Sequence, residues 1–134
     1  MADNKTFLLE VITPDRVFFE GDCEFLEITT IEGEMGIYPE HVSTTCILAP
    51  GVMSIHVKGE EKKAALHTGF VEILGDRITV LAEAAEWPGE IDLKRAEAAK
   101  QRAEERLTRR EANLDAMRAE LALRRALARI NAVK

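Results

Sequence analysis

The chain has 134 residues, 46% of them apolar and 31% charged, which suits one folded domain with an appendage. No apolar run approaches the roughly 18 residues that a bilayer span needs. The start, "MADNKTFLLEV", lacks a basic segment followed by a long apolar one, so the expectation is a protein that stays where it is made. The net charge of −6 hides an asymmetry: residues 1–90 carry 17 acids against 6 bases, and residues 91–134 carry 7 acids against 12 bases. An acidic body and a basic tail can attract each other, or the tail can seek a separate acidic partner. Nucleic acid is disfavoured as that partner, because no aromatic residue follows Trp87 for bases to stack on. Cys23 and Cys46 show no metal or redox spacing and are expected as reduced structural thiols.

The first 85 or so residues read as strands and turns. "TFLLEVIT" (Thr6–Thr13) stops at the turn signal Pro14-Asp15. "RVFFEGDCEFLEITTIEGEMG" gives two strands around Gly21-Asp22. "CILAPGVMSIHV" gives two more around Pro50-Gly51. There Met53, Ile55 and Val57 alternate with Ser54, His56 and Lys58, the pattern of a half-buried strand. "KGEEKK" is a charged hairpin tip. "AALHTGFVEILGDRITVLAEAA" supplies three strands, broken at Gly69 and at Gly75-Asp76. Short strands at such spacing predict a β-sandwich or barrel. Glu32–His41, with two Gly and a Pro among Met, Ile and Tyr, is either a loop covering the core edge or a loop that docks on a partner.

Trp87-Pro88-Gly89 marks a boundary, and no Gly or Pro follows it. Asp92 is a plausible N-cap, with Leu93, Ala96, Ala99, Ala103 and Leu107 at helical spacing. Thr108 and Glu111 fit a capping box, so a second helix is expected to start there. Its stripe is Leu114, Met117, Leu121 and Ala128, flanked by Leu123, Leu127 and Ile130. Two helices of roughly 15 and 20 residues make an antiparallel hairpin. The class is therefore α+β, with residues 1–87 as the β domain and 88–134 as the helical hairpin. Eleven alanines in residues 91–134 favour helix but bury little area each, which predicts a weakly docked hairpin.

No catalytic constellation is present: His41, His56 and His67 lack metal spacing, no Ser sits in a nucleophile elbow, and no Walker-type phosphate loop exists. His56 is expected on a solvated face and His67 at a strand end. Folding the hairpin antiparallel would bring Arg95 near Arg125 and Arg129. Those guanidiniums are either solvated helix faces with local pairs, or a convergent phosphate site at a helix N-terminus. Glu86 and Asp92 could then accept from a base or ribose.

Four stretches resemble the epsilon subunits of rotary F-type ATP synthases. "GEMGIYPEH" resembles that family's GELGI-x-P-x-H loop. "HTGFVEI" resembles its GGF-x-E-V strand pair, with His67-Thr68 replacing small residues. "DRITVLAEAAE" is similar to its last strand and "AELALRRALARI" to its terminal helix. The resemblance implies a ten-stranded β-sandwich followed by a helical hairpin, in a non-catalytic rotor subunit. It implies contacts with the gamma subunit and the c-ring, for which Glu34 and His41 are carried over. In bacterial members the hairpin either folds on the sandwich or extends into the alpha/beta head and blocks ATP hydrolysis. Arg109, Arg110, Arg118 and Arg124 are then candidates to meet an acidic segment of beta. "IDLKRA" resembles the I/L-D-x-x-R-A motif of members whose folded hairpin binds ATP. That resemblance implies an ATP site of Glu86, Ile91, Asp92, Arg95, Ala96, Arg125 and Arg129. ATP, with or without Mg²⁺, is expected as a regulatory ligand, and no cofactor is required. Trp87-Pro88-Gly89 departs from the family's flexible polar residues and is expected to stiffen the approach to the site. The implied location is peripheral, on the cytoplasmic face of the bacterial plasma membrane. The alternative is a free-standing β-sandwich ligand-binding module with a helical oligomerisation tail.

Overall fold

The computed structural model describes residues 5–109 and 113–134, with side chains described outside 110–115. Its strands are β1 (Phe7–Thr13), β2 (Arg16–Cys23), β3 (Phe25–Thr30), β4 (Gly33–Ile37), β5 (Thr44–Leu48), β6 (Gly51–Val57), β7 (Glu60–Leu66), β8 (Gly69–Leu74), β9 (Arg77–Ala82) and β10 (Ala85–Glu86). A single turn of 3-10 helix at Pro88–Glu90 leads into α1 (Leu93–Thr108) and α2 (Asn113–Val133). The strands pair in the order β10-β7-β6-β3-β5-β8-β9-β1-β2, with β4 beside β3. β1 and β9 run parallel; the other pairs among the described residues are antiparallel.

Side-chain alternation produces the sandwich. In β1 the residues Phe7, Leu9, Val11 and Thr13 are buried and those between them half-buried. Phe7, Leu9 and Val11 form one core cluster with Leu26, Ile28, Met53, Ile55, Val71, Ile73, Ile78 and Val80. Because that cluster draws on strands from both ends of the pairing order, the sheet folds over and faces itself.

β6 departs from simple alternation: Met53, Ser54 and Ile55 are all buried. The cause is α2, which covers the outer face of β6 and β7. The pairing register sets Val52 beside Ala65, and Ala65 beside Glu86. This row across β6, β7 and β10 ends apolar-apolar-acid on the outer face. Ala128 and Ala132 of α2 pack on its apolar part, with Ile91 joining from the linker. α1 packs on α2, burying Ala96 and Ala103.

Four sequence expectations need correction. β2 runs through Gly21 and Asp22 to Cys23, and the break falls at Glu24. Half of the expected loop Glu32–His41 is strand β4, hydrogen-bonded along β3. Thr108 does not cap α2; it closes α1, where its hydroxyl donates to the Glu104 carbonyl at 2.9 Å. α2 begins at Asn113, and Glu111 lies outside the described residues. Finally, Met117 is 70% exposed, and the buried face of α2 runs through Ala119, Ala126, Ala128, Ile130 and Ala132. A helix wedged between a sheet and another helix selects its smallest side chains for contact, because they allow the closest approach.

The linker is anchored. Trp87 stacks on Phe18 with ring centroids 4.1 Å apart. Glu90 accepts from the Trp87 amide at 2.9 Å and from Arg16 at 2.8 Å. The stiffening expected from Trp87-Pro88-Gly89 thus has a physical source, an aromatic stack closed by an ion pair.

Gly69 starts β8 where the backbone presses on β9: an added Cβ would overlap the Leu81 carbonyl oxygen and sit 2.7 Å from the Ala82 Cα. Main chain cannot rotate away as a side chain can. Gly69→Ala is therefore expected to lower stability by about 2–3 kcal/mol, read as an earlier midpoint in urea denaturation. An unchanged midpoint would show that β8 and β9 can separate freely.

Candidate nucleotide site and contact loop

Glu86 lies where the sheet edge, the linker and α2 meet. Its Oε1 accepts from His67 Nε2 at 3.0 Å and from Arg129 Nε at 2.7 Å. His67, between β7 and β8, is only 2% exposed, and its amide donates to the Ala84 carbonyl at 3.0 Å. The Nε2–H tautomer satisfies Glu86 and leaves Nδ1 buried without a partner. Burial pushes the His67 imidazole below its usual pKa; the bond to Glu86 opposes this, and Arg129 and Arg125 reinforce it. For Glu86, burial acts to raise the carboxyl pKa, but the bonds from His67 and Arg129 outweigh it and the net direction is down. At neutral pH the pair is therefore a neutral imidazole and a carboxylate. The expectation that His67 merely ends a strand understates its role.

A parallel arrangement stands one turn away. Thr68 Oγ1 donates to Glu83 Oε2 at 2.6 Å, and Arg125 approaches that same oxygen at 3.8 Å. The Thr68 bond, and then Arg125, hold the Glu83 carboxyl below its usual range.

Beside Glu86 opens a cavity of about 390 Å³, lined by Glu86, Glu90, Asp92, Arg95, Ala96, Ala99, Arg102 and Arg129. The start of α1 forms one wall, and Asp92 caps it by accepting from the Arg95 amide at 3.1 Å. Of the residues expected at an ATP site, the structure brings Glu86, Asp92, Arg95, Ala96 and Arg129 to this cavity. Ile91 packs instead against the alanines under α2. Arg125 lies off the cavity on Glu83. Glu90, Ala99 and Arg102 were not expected. Arg102 was findable, since it stands two helical turns from Arg95; Glu90 and Ala99 needed the folded linker.

The second region is the end of β4 and the loop after it. Glu34 is exposed on β4, and His41 is half-buried with Nδ1 2.8 Å from the Val42 carbonyl oxygen. Exposed apolar side chains flank His41 in the chain, Tyr38 at 64% and Val42 at 80% exposure, whereas Glu34 stands at the other end of β4 and lines the groove under α2 with Arg124 and Leu127. Tyr38 stacks on Phe25 at 4.4 Å, which holds one ring as a fixed platform. On the tail, Arg109 ends α1 and Arg118 is exposed. Arg124 pairs with Glu120 at 3.1 Å within α2. Arg110 lies outside the described residues.

With this geometry in view, comparison with known proteins is decisive. A family model described as ATP synthase, Delta/Epsilon chain, beta-sandwich domain matches residues 6–88, and one described as its long alpha-helix domain matches residues 90–134. The chain belongs to the ATP synthase delta/epsilon family. Epsilon chains are similar over almost their full length: that of Caldanaerobacter subterraneus subsp. tengcongensis is 47% identical over 128 residues, covering 95% of this chain and 93% of its own. That of Clostridium novyi is 45% identical over 130 residues, covering 96% and 98%. A chain in the mitochondrial ATP synthase of Euglena gracilis shares the fold, with a TM-score of 0.84 at 21% identity over 97% of this chain and 82% of that one. As a member of this family, the protein is a subunit of ATP synthase and not its catalyst.

Removing the shared acceptor leaves Arg129 and the buried imidazole without a partner. Glu86→Ala is expected to cost about 1–2 kcal/mol of hairpin docking. The measurement is hydrogen exchange of α2 amides around residues 126–132, which should lose about tenfold of their protection or more. Unchanged exchange there would mean that the alanine contacts alone hold α2.

Proposed function

We propose that this chain is a central-stalk rotor subunit of the F-type ATP synthase whose hairpin restrains ATP hydrolysis in an ATP-sensitive way. The observation that carries the ATP-sensitive part is the cavity at the hairpin's root, whose lining combines Arg95 in the first turn of α1, Arg102 two turns further on and Arg129 of α2. Guanidiniums beside a helix N-terminus favour phosphate, and the cavity volume falls in the range of small-molecule sites. Asp92 and Glu86 supply acceptors for the hydroxyl and amino groups of a nucleoside. Arg129 is held by Glu86, so a triphosphate takes it over from that carboxylate. Arg125, one turn along α2, stands ready to leave its 3.8 Å contact with Glu83 for the outer phosphates.

The sandwich carries the stalk role, docking on gamma and the c-ring with Glu34, His41 and the apolar Tyr38–Val42 loop. A rigid platform of exposed aromatic and aliphatic side chains beside charged ones has the composition of an interface core with a polar rim. No described helix is long and apolar enough to cross a membrane, so attachment to the cytoplasmic face of the plasma membrane runs through these partners. The family assignment favours this reading over a free-standing ligand-binding module.

The switch follows by linkage. The folded hairpin contains the whole cavity, while an extended one separates α2, and with it Arg129, from Glu86 and the sheet. A ligand bound only to the folded state stabilises it by about 1.4 kcal/mol at roughly tenfold excess over Kd. When ATP falls, α2 releases, and Arg109, Arg110, Arg118 and Arg124 become available to an acidic segment of the beta subunit. Calorimetric titration of the whole chain with ATP tests the site. Arg95→Ala and Arg129→Ala are each expected to weaken binding about tenfold or more. Binding unaffected by either substitution would exclude this cavity.

A further inference from the structure

We propose that His67 is a positioning residue that makes docking of the hairpin proton-linked: uptake of a proton by its imidazole releases α2 from the sheet. This rests on the folded-and-released hairpin proposed above; it shares Glu86, Arg129 and Arg125 with the proposed nucleotide site, but its titrating group, His67, does not line that cavity.

Neutral or charged, His67 can keep its Nε2–H on Glu86; protonation changes Nδ1 and the charge. Its Nε2–H points at Glu86 Oε1, 3.0 Å away, and Arg129 takes the same oxygen at 2.7 Å from the other side. The imidazole thus sets the carboxylate that receives α2. Its second nitrogen, Nδ1, is buried with no hydrogen-bond partner among the described residues. A proton placed there would be an unpaired buried donor, which is costly.

The charges around it decide the direction. β10 contributes Glu86, and the turn between β9 and β10 contributes Glu83. α2 contributes two cations, Arg129 and Arg125, each on one of those carboxylates. In the docked state an imidazolium would face two anions already matched by two guanidiniums. Lifting α2 removes both guanidiniums and leaves two unpaired carboxylates beside the imidazole. The released state therefore takes up the proton more readily. A group whose charged form is disfavoured when docked stabilises docking above its ordinary value of about 6.5 and loses that contribution as the pH falls through its lower docked value. The carboxylates respond in the same direction but in a separate window. Glu83 and Glu86 are both held below their usual range, so their effect begins only in the carboxylate range, near pH 4. Acidification toward pH 6 thus acts through His67.

The consequence is a second input to the same hairpin. Low ATP and low pH both favour release, and one substitution separates them.

The test uses the full chain without nucleotide, with spin labels on cysteines replacing exposed Glu20 and Met117 and Cys46→Ser to remove the half-buried native thiol. Pulsed distance measurements between about pH 5 and 8 read the docked fraction. The ratio of docked to released chain is expected to fall up to tenfold per pH unit below about pH 6.5. In His67→Gln, whose amide can still donate to Glu86 but cannot titrate, the ratio should stay flat over that window. A wild-type chain without pH response, or the same response in His67→Gln, would overturn the proposal. If His67→Gln does not fold, proton NMR titration of the His67 ring decides. Its midpoint should rise when Ala132→Asp displaces α2 from Ala65, and an unchanged midpoint would overturn the proposal. ATP titration of the same labelled chain keeps the two readings apart. A proton response with no ATP response would support His67 and remove the nucleotide site alone. The reverse would remove the His67 link alone.

Discussion

Glu86 occupies a two-residue strand at the sheet edge, and one of its oxygens accepts from the sandwich on one side and from the hairpin on the other. Everything that distinguishes the docked state from a released one passes close to this carboxylate. The pairing register places it in the row with Ala65 and Val52, so the helix that covers those two must also meet its charge. Arg129, adjacent in sequence to the buried Ala128, falls within reach because successive helical residues flank one contact line. A sandwich, a linker and a helix thus converge on one acid, and the cavity forms beside it.

The rest of the docking surface is deliberately thin in physical terms. Ala65, Ala128 and Ala132 bring methyl groups together, and each buried methyl contributes only about 0.8 kcal/mol. Toward β3 and β4 the sheet and α2 leave an open groove, lined by Glu34, Met35 and Gly51 on one side and Arg124, Leu127 and Asn131 on the other. Close approach without large buried area gives a defined position and a low cost of leaving it. A ligand contributing about 1.4 kcal/mol can bias such an equilibrium; it could not bias a leucine-filled interface in the same way. The acidic body and basic tail add attraction that is not tied to one geometry, which keeps the released hairpin available to another acidic surface.

The fold was legible where a period or a turn residue stood in the sequence. The breaks at Gly69 and Gly75 and the cap at Asp92 report local geometry. β4 was hidden because two glycines and a proline obscured a strand that exists through its pairing with β3. The α2 contact face was read correctly at Ala128 and Ile130 and wrongly at Met117, because leucine and methionine outrank alanine in a hydrophobicity count, whereas close packing selects the smaller side chain. At the candidate site, Asp92 and Arg95 were visible as a cap and a cation at fixed spacing. The approach of Arg129 to Glu86 depends on how the hairpin folds. His67 carries no local signal, since its partner is reached only after β8 and β9 have turned back. Thr68 is hidden for the same reason.

The proposed switch requires that the docked hairpin leave ATP hydrolysis unrestrained and that its release restrain it. Cysteines replacing Ala65 and Ala132, which pack in one cluster, would lock α2 on the sheet when oxidised. The decisive measurement is ATP hydrolysis by the assembled synthase carrying this pair, before and after oxidation, at low ATP. Oxidation is expected to raise hydrolysis, and reduction to return it to the restrained rate. Restraint that persists with the hairpin locked down would contradict the switch.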